Sequence, residues 1–280
     1  MFDLIKELTE LVGPVGQEHA VLDRMETLWR DAGAQTERTR IGNVLARCGG
    51  QGPKLLLAAH ADELCYLVRA IDPGGFLWLA NGQGWSRGVG NRNAFYIGQR
   101  VKVLARSGII PGVIGAVTGH LASFALPELH DLTWDDFWVD TGLSHHELAA
   151  RGVTPGTRVI WDATTEQFGD HIVGKALDDR VPLAVLTEVL RRVPPAEMRC
   201  QLTLACTVQE EIGLIGSNYF VKNPLVPLDN IKFLINIDLM ANGADGMMVV
   251  NGLVYYREFV KLKAINDQIH HLPDIKVRGK

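Results

Sequence analysis

The chain has 280 residues, of which 47% are hydrophobic and 21% charged, and a net charge of −4; these are the proportions of an ordinary globular protein able to bury a full core. With no lysine/arginine run and a slightly acidic balance, it offers nucleic acid no electrostatic footprint, and no apolar stretch is long enough to span a bilayer. The acidic, amphipathic start MFDLIKELTEL does not read as a secretory signal. Cys48, Cys65, Cys200 and Cys206 lack CxxC spacing, so neither a zinc knuckle nor a disulfide framework is indicated, and a cytoplasmic protein is expected.

Phe2, Ile5, Leu8 and Leu11 share one helical face, and Gly13-Pro14 stops that helix. A second helix runs through Val21, Met25, Leu28 and Trp29 and ends near Gly33. Asn43-Val44-Leu45-Ala46 and Lys54–His60 predict strands, separated by the turn Gly49-Gly50-Gln51-Gly52-Pro53. From about residue 70 to 168 the texture changes: glycines become dense and short β segments (GFLWLAN, QRVKVLA, GVIGAVTG, FWVDTG, TRVIW) alternate with turns, predicting a small β-barrel inserted into an α/β domain. The α/β alternation resumes at Gly174, with a helix over 181–193 ended by Pro194-Pro195, strands over 201–208 and 231–237, and a last helix through Phe259, Leu262 and Ile265. The expected organisation is therefore residues 1–69 and 169–280 as one α/β domain, with 70–168 as the inserted barrel.

Chemistry gathers at the ends of the hydrophobic runs. LLLAAHADE ends on His60, Asp62 and Glu63, IVGKALDDR on Asp178 and Asp179, LTLACTVQEE on Glu210 and Glu211, and FLINID on Asp238. Uncompensated charge at the end of a buried strand is costly to desolvate, and ligands of open α/β sheets collect at the carboxyl ends of strands. Several such endings together point to a shared cation. Individually the groups are less telling. His60 and Asp62 alternate onto one side of an extended backbone and suit either a ligand with its orienting carboxylate or a surface pair. Asp178 and Asp179 precede a helix with Pro182 in its first turn, where a cap is the simpler reading. Glu210 and Glu211 are stronger, because adjacent carboxylates repel unless a proton or a cation relieves them. On a turn, one can ligate while the other handles protons. Asp238 fits a ligand or a loop-bonding carboxylate. His120, His130, His145, His146, His171, His270 and His271 show no ligand spacing and read as surface or locally bonded.

The order HADE, GKALDDR, TVQEEIGLIGS, INID, with GPVGQE and Ile41-Gly42-Asn43 before it, resembles the TET-type (glutamyl aminopeptidase-like) dinuclear metallo-aminopeptidases over nearly the whole chain. The resemblance implies a mixed-sheet zinc-exopeptidase-like catalytic domain with an inserted PDZ-like barrel that mediates dimerisation. Carried over, His60 and Asp238 bind one metal, Asp178 bridges two, often with a cis peptide to Asp179, and Glu211 binds the second. Glu210 is the general base and Asp62 orients His60. Cys65 and Pro182 stand where the family has glycine.

The expected function is the release of N-terminal residues from peptides by two divalent ions, zinc or cobalt, in a homo-oligomer built through the inserted domain, with neither nucleic acid nor membrane as partner. No histidine in the last residues corresponds to the family's final ligand, so one tight ion, one weak or absent ion and low activity are expected. Two other classes stay open. A shortened homologue acting in assembly or binding would hold one ion or none, and a glycoside hydrolase would need two carboxyls facing each other across a cleft.

Overall fold

The computed structural model describes residues 1–82, 97–116 and 134–238, with the backbone of two further strands at 248–251 and 275–278. Residues 1–239 form one compact unit and 240–280 a second.

The first unit opens with two amphipathic helices, α1 (Phe2–Glu10) and α2 (His19–Asp31). Leu4, Ile5 and Leu8 of α1 and Val21, Met25, Leu28 and Trp29 of α2 form their buried faces. Gly33 takes a left-handed φ of +88° just past α2, where a side chain would be strained. The strands β1 (Gln35–Arg38), β2 (Val44–Gly49) and β3 (Lys54–His60) follow. Next come β4 (Tyr66–Ile71), β5 (Leu77–Asn81), β6 (Arg100–Ala105), β7 (Gly108–Ala116), β8 (Phe137–Asp140), helix α3 (His145–Ala150) and β9 (Arg158–Trp161). A short hairpin, β10 (Glu166–Phe168) and β11 (His171–Val173), leads to helix α4 (Leu177–Arg192), then β12 (Gln201–Thr207), helix α5 (Ile215–Lys222) and β13 (Ile231–Asn236). In the second unit, β14 (Met248–Asn251) pairs in parallel with β15 (Ile275–Arg278). The helix expected through Phe259, Leu262 and Ile265 lies outside the described residues.

Five strands make a mixed sheet in the order β1-β2-β12-β3-β13. β1 and β2 are antiparallel, as are β2 and β12, whereas β12, β3 and β13 run parallel. Alternation along the strands divides the core between two faces. Val44, Ala46, Leu204 and Cys206 face α1, α2 and α4, and Leu45, Leu56 and Ala205 face Phe220 of α5. Trp29 Nε1 donates to Thr187 Oγ1 at 3.1 Å, so the largest buried side chain of that layer leaves no polar atom unsatisfied. The strands β4-β5-β8-β7-β6-β9 close a barrel around Val68, Leu79, Val103, Ile114, Phe137 and Val159, with Tyr66 edge-on to Trp161. The fold is thus the mixed α/β sheet with a barrel that the sequence predicts. Strand β1, the hairpin and α5 were not predicted. Among the described residues no helix is long and apolar enough to cross a membrane.

One buried polar cluster fixes how the sheet meets its helices. Glu63, just past β3 and only 2% exposed, accepts Lys175 Nζ at 2.8 and 3.0 Å and the Gly13 amide at 3.0 Å. Lys175 also donates to the Leu11 carbonyl at 3.2 Å. Arg180 donates to the carbonyls of Ala61 and Leu8 at 2.7 Å and of Gly13 at 3.3 Å. The end of α1, the loop after β3 and the start of α4 are therefore tied by charge-assisted bonds without solvent. Removing one member of a buried ion pair strands the other, typically at about 3–5 kcal/mol. Lys175→Met should lower stability by about that amount in chemical denaturation; a midpoint equal to that of the unaltered chain would show that Glu63 finds another partner.

Candidate metal centre

The parallel trio aims three strand ends at one edge of the sheet. β3 lies between its neighbours, with His60 opposite Thr207 of β12, and the Ile237 amide extends the other ladder by donating to the Ala58 carbonyl at 2.9 Å. His60 is therefore central, Glu210 and Glu211 flank it on one side, and Asp238 flanks it on the other. Asp178 and Asp179 arrive from the start of α4. Ligand atoms of His60, Asp178, Asp179 and Asp238 lie within 4.8 Å of one another, and so do those of His60, Glu210 and Glu211. All six residues proposed from the sequence meet here, since Asp62 backs His60.

The details separate the roles. His60 Nε2 lies 3.2 Å from Asp178 Oδ1, and its Nδ1 lies 3.4 Å from Asp62 Oδ1. The second distance is long for a hydrogen bond, and His60 Nδ1 and Asp179 Oδ1 are buried polar atoms without a hydrogen-bond partner among the described residues. Asp179 uses its other oxygen to accept the His60 amide at 2.9 Å. Asp178 and Asp179 do not cap α4: they keep non-helical φ/ψ inside its first turn, across a cis peptide, and no side chain bonds the helix start. The simpler reading of that pair from the sequence was wrong because tertiary partners, not the helix end, claim both carboxylates. His145 and His146 are exposed on α3 and His171 is exposed on β11, whereas His120, His130, His270 and His271 lie outside the described residues.

The electrostatics fit a missing positive charge. Burial by itself lowers the pKa of His60, but hydrogen bonding to Asp178 and Asp62 and the charge of Asp179 outweigh it and raise the ring to about 11. Asp62 is pushed up by burial yet ends low, held ionised by His60 and by two amides. Burial and neighbouring carboxylates raise Asp179 to about 8 and Glu211 to about 7, and lift Glu210 and Asp238 as well. With Asp179, Glu210, Glu211 and Asp238 all raised beside one imidazole, these acids hold protons more readily unless another cation replaces them. A mixed imidazole and carboxylate donor set, with the buried Asp179 Oδ1 left without a partner beside it, fits a divalent metal.

Two residues had no role assigned from the sequence. Asn43, fully buried, accepts the Val208 amide at 3.1 Å and donates to the Gly216 carbonyl at 2.8 Å. Glu18, 4% exposed, accepts the amides of Gly16 at 2.7 Å and Gln209 at 3.2 Å. A polar residue directly before the apolar strand β2 was the available signal for Asn43. For Glu18 there was none beyond its place in GPVGQE.

The parallel strand ends of this α/β sheet thus carry a carboxylate-rich group that could hold metal, the arrangement expected of a metallopeptidase-like protein. The M42 glutamyl aminopeptidase family matches residues 42–248, and the chain belongs to that family. The Escherichia coli K12 protein FrvX is 32% identical over 218 residues, covering 77% of this chain and 59% of its own length. The lysyl aminopeptidase of Pyrococcus furiosus is 29% identical over 219 residues, 77% of this chain and 61% of its own. The chain thus spans 59% and 61% of these two curated relatives. Among solved structures, the TET1 peptidase of Pyrococcus horikoshii, which can assemble into a tetrahedron or a large octahedral shell, shares the fold with a TM-score of 0.76. It is 23% identical, and the match covers 99% of this chain and 84% of that one.

The shifted groups give the cation-free chain a distinctive pH dependence. Asp179 and Glu211 have folded pKa values of about 8 and about 7 against ordinary values of 3.8 and 4.5. The stability they contribute is complete below those ordinary values and is lost as pH rises through the folded ones. His60 acts in the same direction between 6.5 and about 11. The melting temperature without metal should therefore fall from about pH 5 to about pH 9, and Glu211→Gln should make the slope shallower. A melting temperature that climbs over this range contradicts the assignment.

Proposed function

We propose that the chain is the catalytic part of a metal-dependent aminopeptidase that releases N-terminal residues from peptides. The observation that carries this reading is the convergence of His60, Asp178, Glu210, Glu211 and Asp238 at the ends of three parallel strands, in a member of the M42 family. His60 and Asp238 would hold one divalent ion, Glu211 the other, and Asp178 both. Zinc or cobalt suits the mixed donor set. Such a pair of ions, when bound, polarises the scissile carbonyl and acidifies water.

The protein's own part is positioning and proton transfer. Asp62 faces Nδ1 of His60, which leaves Nε2 to the cation side and fixes the ring. Glu210 stands beside the ligands with its proton affinity raised by burial and by Asp238, Asp62 and Asp178. It takes the proton of the attacking water and hands it to the departing amine. A glycosidase would need carboxyls opposed across a cleft, whereas these gather around one imidazole. A role in binding or assembly alone would leave the cation site wholly or partly unused, and metal content separates the two: two ions per chain favour the enzyme, and one or none favours the assembly protein.

The proposal extends to organisation. Residues 70–168 would be an insertion between catalytic segments 1–69 and 169–280, and would join copies of the chain into a homo-oligomer. The barrel's outer surface supports this. Inward positions alternate with Ile109 and Val113 on β7, which are 53% and 44% exposed. Outward Trp78 and Trp138 pack together, with ring centroids 5.7 Å apart, and Phe76 stands edge-on to Trp138. Apolar groups clustered on an outer surface mark an association site.

Glu210→Gln should remove at least about 10²-fold of the peptidase rate, the usual worth of a general base, while the metal content holds. Joint loss of metal and rate would move Glu210 among the ligands. Replacing Ile109 and Val113 together by lysine should yield a smaller species in light scattering, with peptide hydrolysis retained; an unchanged assembly would place the interface elsewhere.

A further inference from the structure

The turn between β12 and α5 carries both Glu210 and Glu211, and side chains rather than neighbouring strands hold its backbone. Four consecutive amides are taken in order. Asn43 accepts from Val208 at 3.1 Å, Glu18 from Gln209 at 3.2 Å, and the two oxygens of Asp62 from Glu210 at 2.9 Å and Glu211 at 3.0 Å. Three of the acceptors are carboxylate oxygens, and all three residues are buried. The turn is closed by the Gly216 amide, which donates to the Val208 carbonyl at 2.9 Å, and by the Ile215 amide, which donates to the Gln209 carbonyl at 3.1 Å. Asn43 bridges the two ends through the Gly216 carbonyl. Gly216 has no room for a side chain, because a Cβ there would lie 2.5 Å from Asn43 Oδ1.

One link in this series is under tension. Gln209 takes a φ of +53°, a left-handed conformation in which a non-glycine residue is strained. Strain of this kind persists only where surrounding bonds over-determine it, and it collects where a side chain must be aimed. Gln209 immediately precedes Glu210, so its backbone sets the direction in which the Glu210 carboxylate leaves the turn. The bond that opposes relaxation is the one from the Gln209 amide to Glu18, a residue far away in sequence, held in its own loop by the Gly16 amide at 2.7 Å.

We propose that Glu18 is a positioning residue: by accepting the Gln209 amide it keeps the turn in its left-handed form and thereby aims Glu210 at the reacting water. The proposal rests on the reading of Glu210 as the proton acceptor. Glu18 is not among the clustered metal-ligand groups, so its loss should act on rate and not on metal loading.

Two variants of similar size separate acceptor from volume. Glu18→Met fills the same space without an acceptor. It should lower kcat by about 10–100-fold, the usual effect of losing such a supporting bond, with KM and metal content unchanged. In hydrogen exchange, the Gln209 amide should lose protection while β12 and α5 keep theirs. Glu18→Gln keeps an oxygen at the same place and should restore both rate and protection. Full activity and protection in Glu18→Met, or loss of metal together with rate, would overturn the proposal. So would a failure of Glu18→Gln to rescue. Should Glu18→Met not fold, exchange in the unaltered chain decides: a slow Gln209 amide agrees, and one exchanging like an unbonded amide refutes it. If the unaltered chain hydrolyses no peptide, the reading of Glu210 fails on its own, while the exchange experiment still reports whether Glu18 holds the turn.

Discussion

A carboxylate with no access to water is the group on which the rest of the centre depends. Asp62 is fully buried, and an ionised group in that position is tolerated only when its lone pairs are used. Two backbone amides use them, and the His60 ring lies against the same carboxylate, with Nδ1 3.4 Å from Oδ1. The consequence is geometric: the end of β3 and the turn after β12 cannot separate without exposing an unpaired charge to an apolar interior. The Ala61 amide, which donates to the Thr207 carbonyl at 2.8 Å, carries the parallel ladder one step past His60 and seals the same junction.

Neighbouring residues of one loop meet opposite electrostatic treatments. Glu63 is matched inside the fold by Lys175 and, at 3.8 Å, by Arg180, and that cluster is complete as it stands. One residue earlier, the chain turns Asp62 and His60 toward five further acids at the sheet edge. Charge is therefore balanced where the structure must hold and left in deficit where something must bind. The deficit appears as raised proton affinities on Asp179, Glu210, Glu211 and Asp238.

Much of this was legible in the residues because two independent patterns coincide. Apolar runs of strand length ending in an acid or a histidine mark both the sheet and its functional edge, and β3 falls where the run Lys54–His60 puts it. The barrel was legible from short strands between glycines. What stayed hidden depends on partners distant in the chain. Asp178 and Asp179 precede a helix and look like caps, and only the approach of His60, its ring to Asp178 and its amide to Asp179, reveals their use. Strand β1 is a polar run, Gln35–Arg38, whose strand character comes from pairing with β2. Helix α5 is short and buries only Gly216 and Phe220, too little for a helical period to stand out. Glu18 and Asn43 serve backbone amides more than a hundred and sixty positions away, a relation that no local spacing encodes.

The four thiols bear on which cation the chain would accept. All are free, and Cys65 and Cys206 are buried. Burial pushes Cys65 up to about 12 and Cys206 higher still, and at Cys206 the charge of Asp179 adds to the rise while Arg180 opposes it. Only the thiolate is a strong ligand, and in the cation-free chain burial keeps these two thiols protonated. Cys48 and Cys200 are partly open but sit at the opposite end of the sheet, where Cys48 pairs with Leu202 at the start of β12. Among the described residues, the groups clustered at the His60 edge are imidazole and carboxylates, hard and borderline donors that suit zinc or cobalt better than cuprous copper. Ion choice at this edge is thus left to imidazole and carboxylate among the described residues.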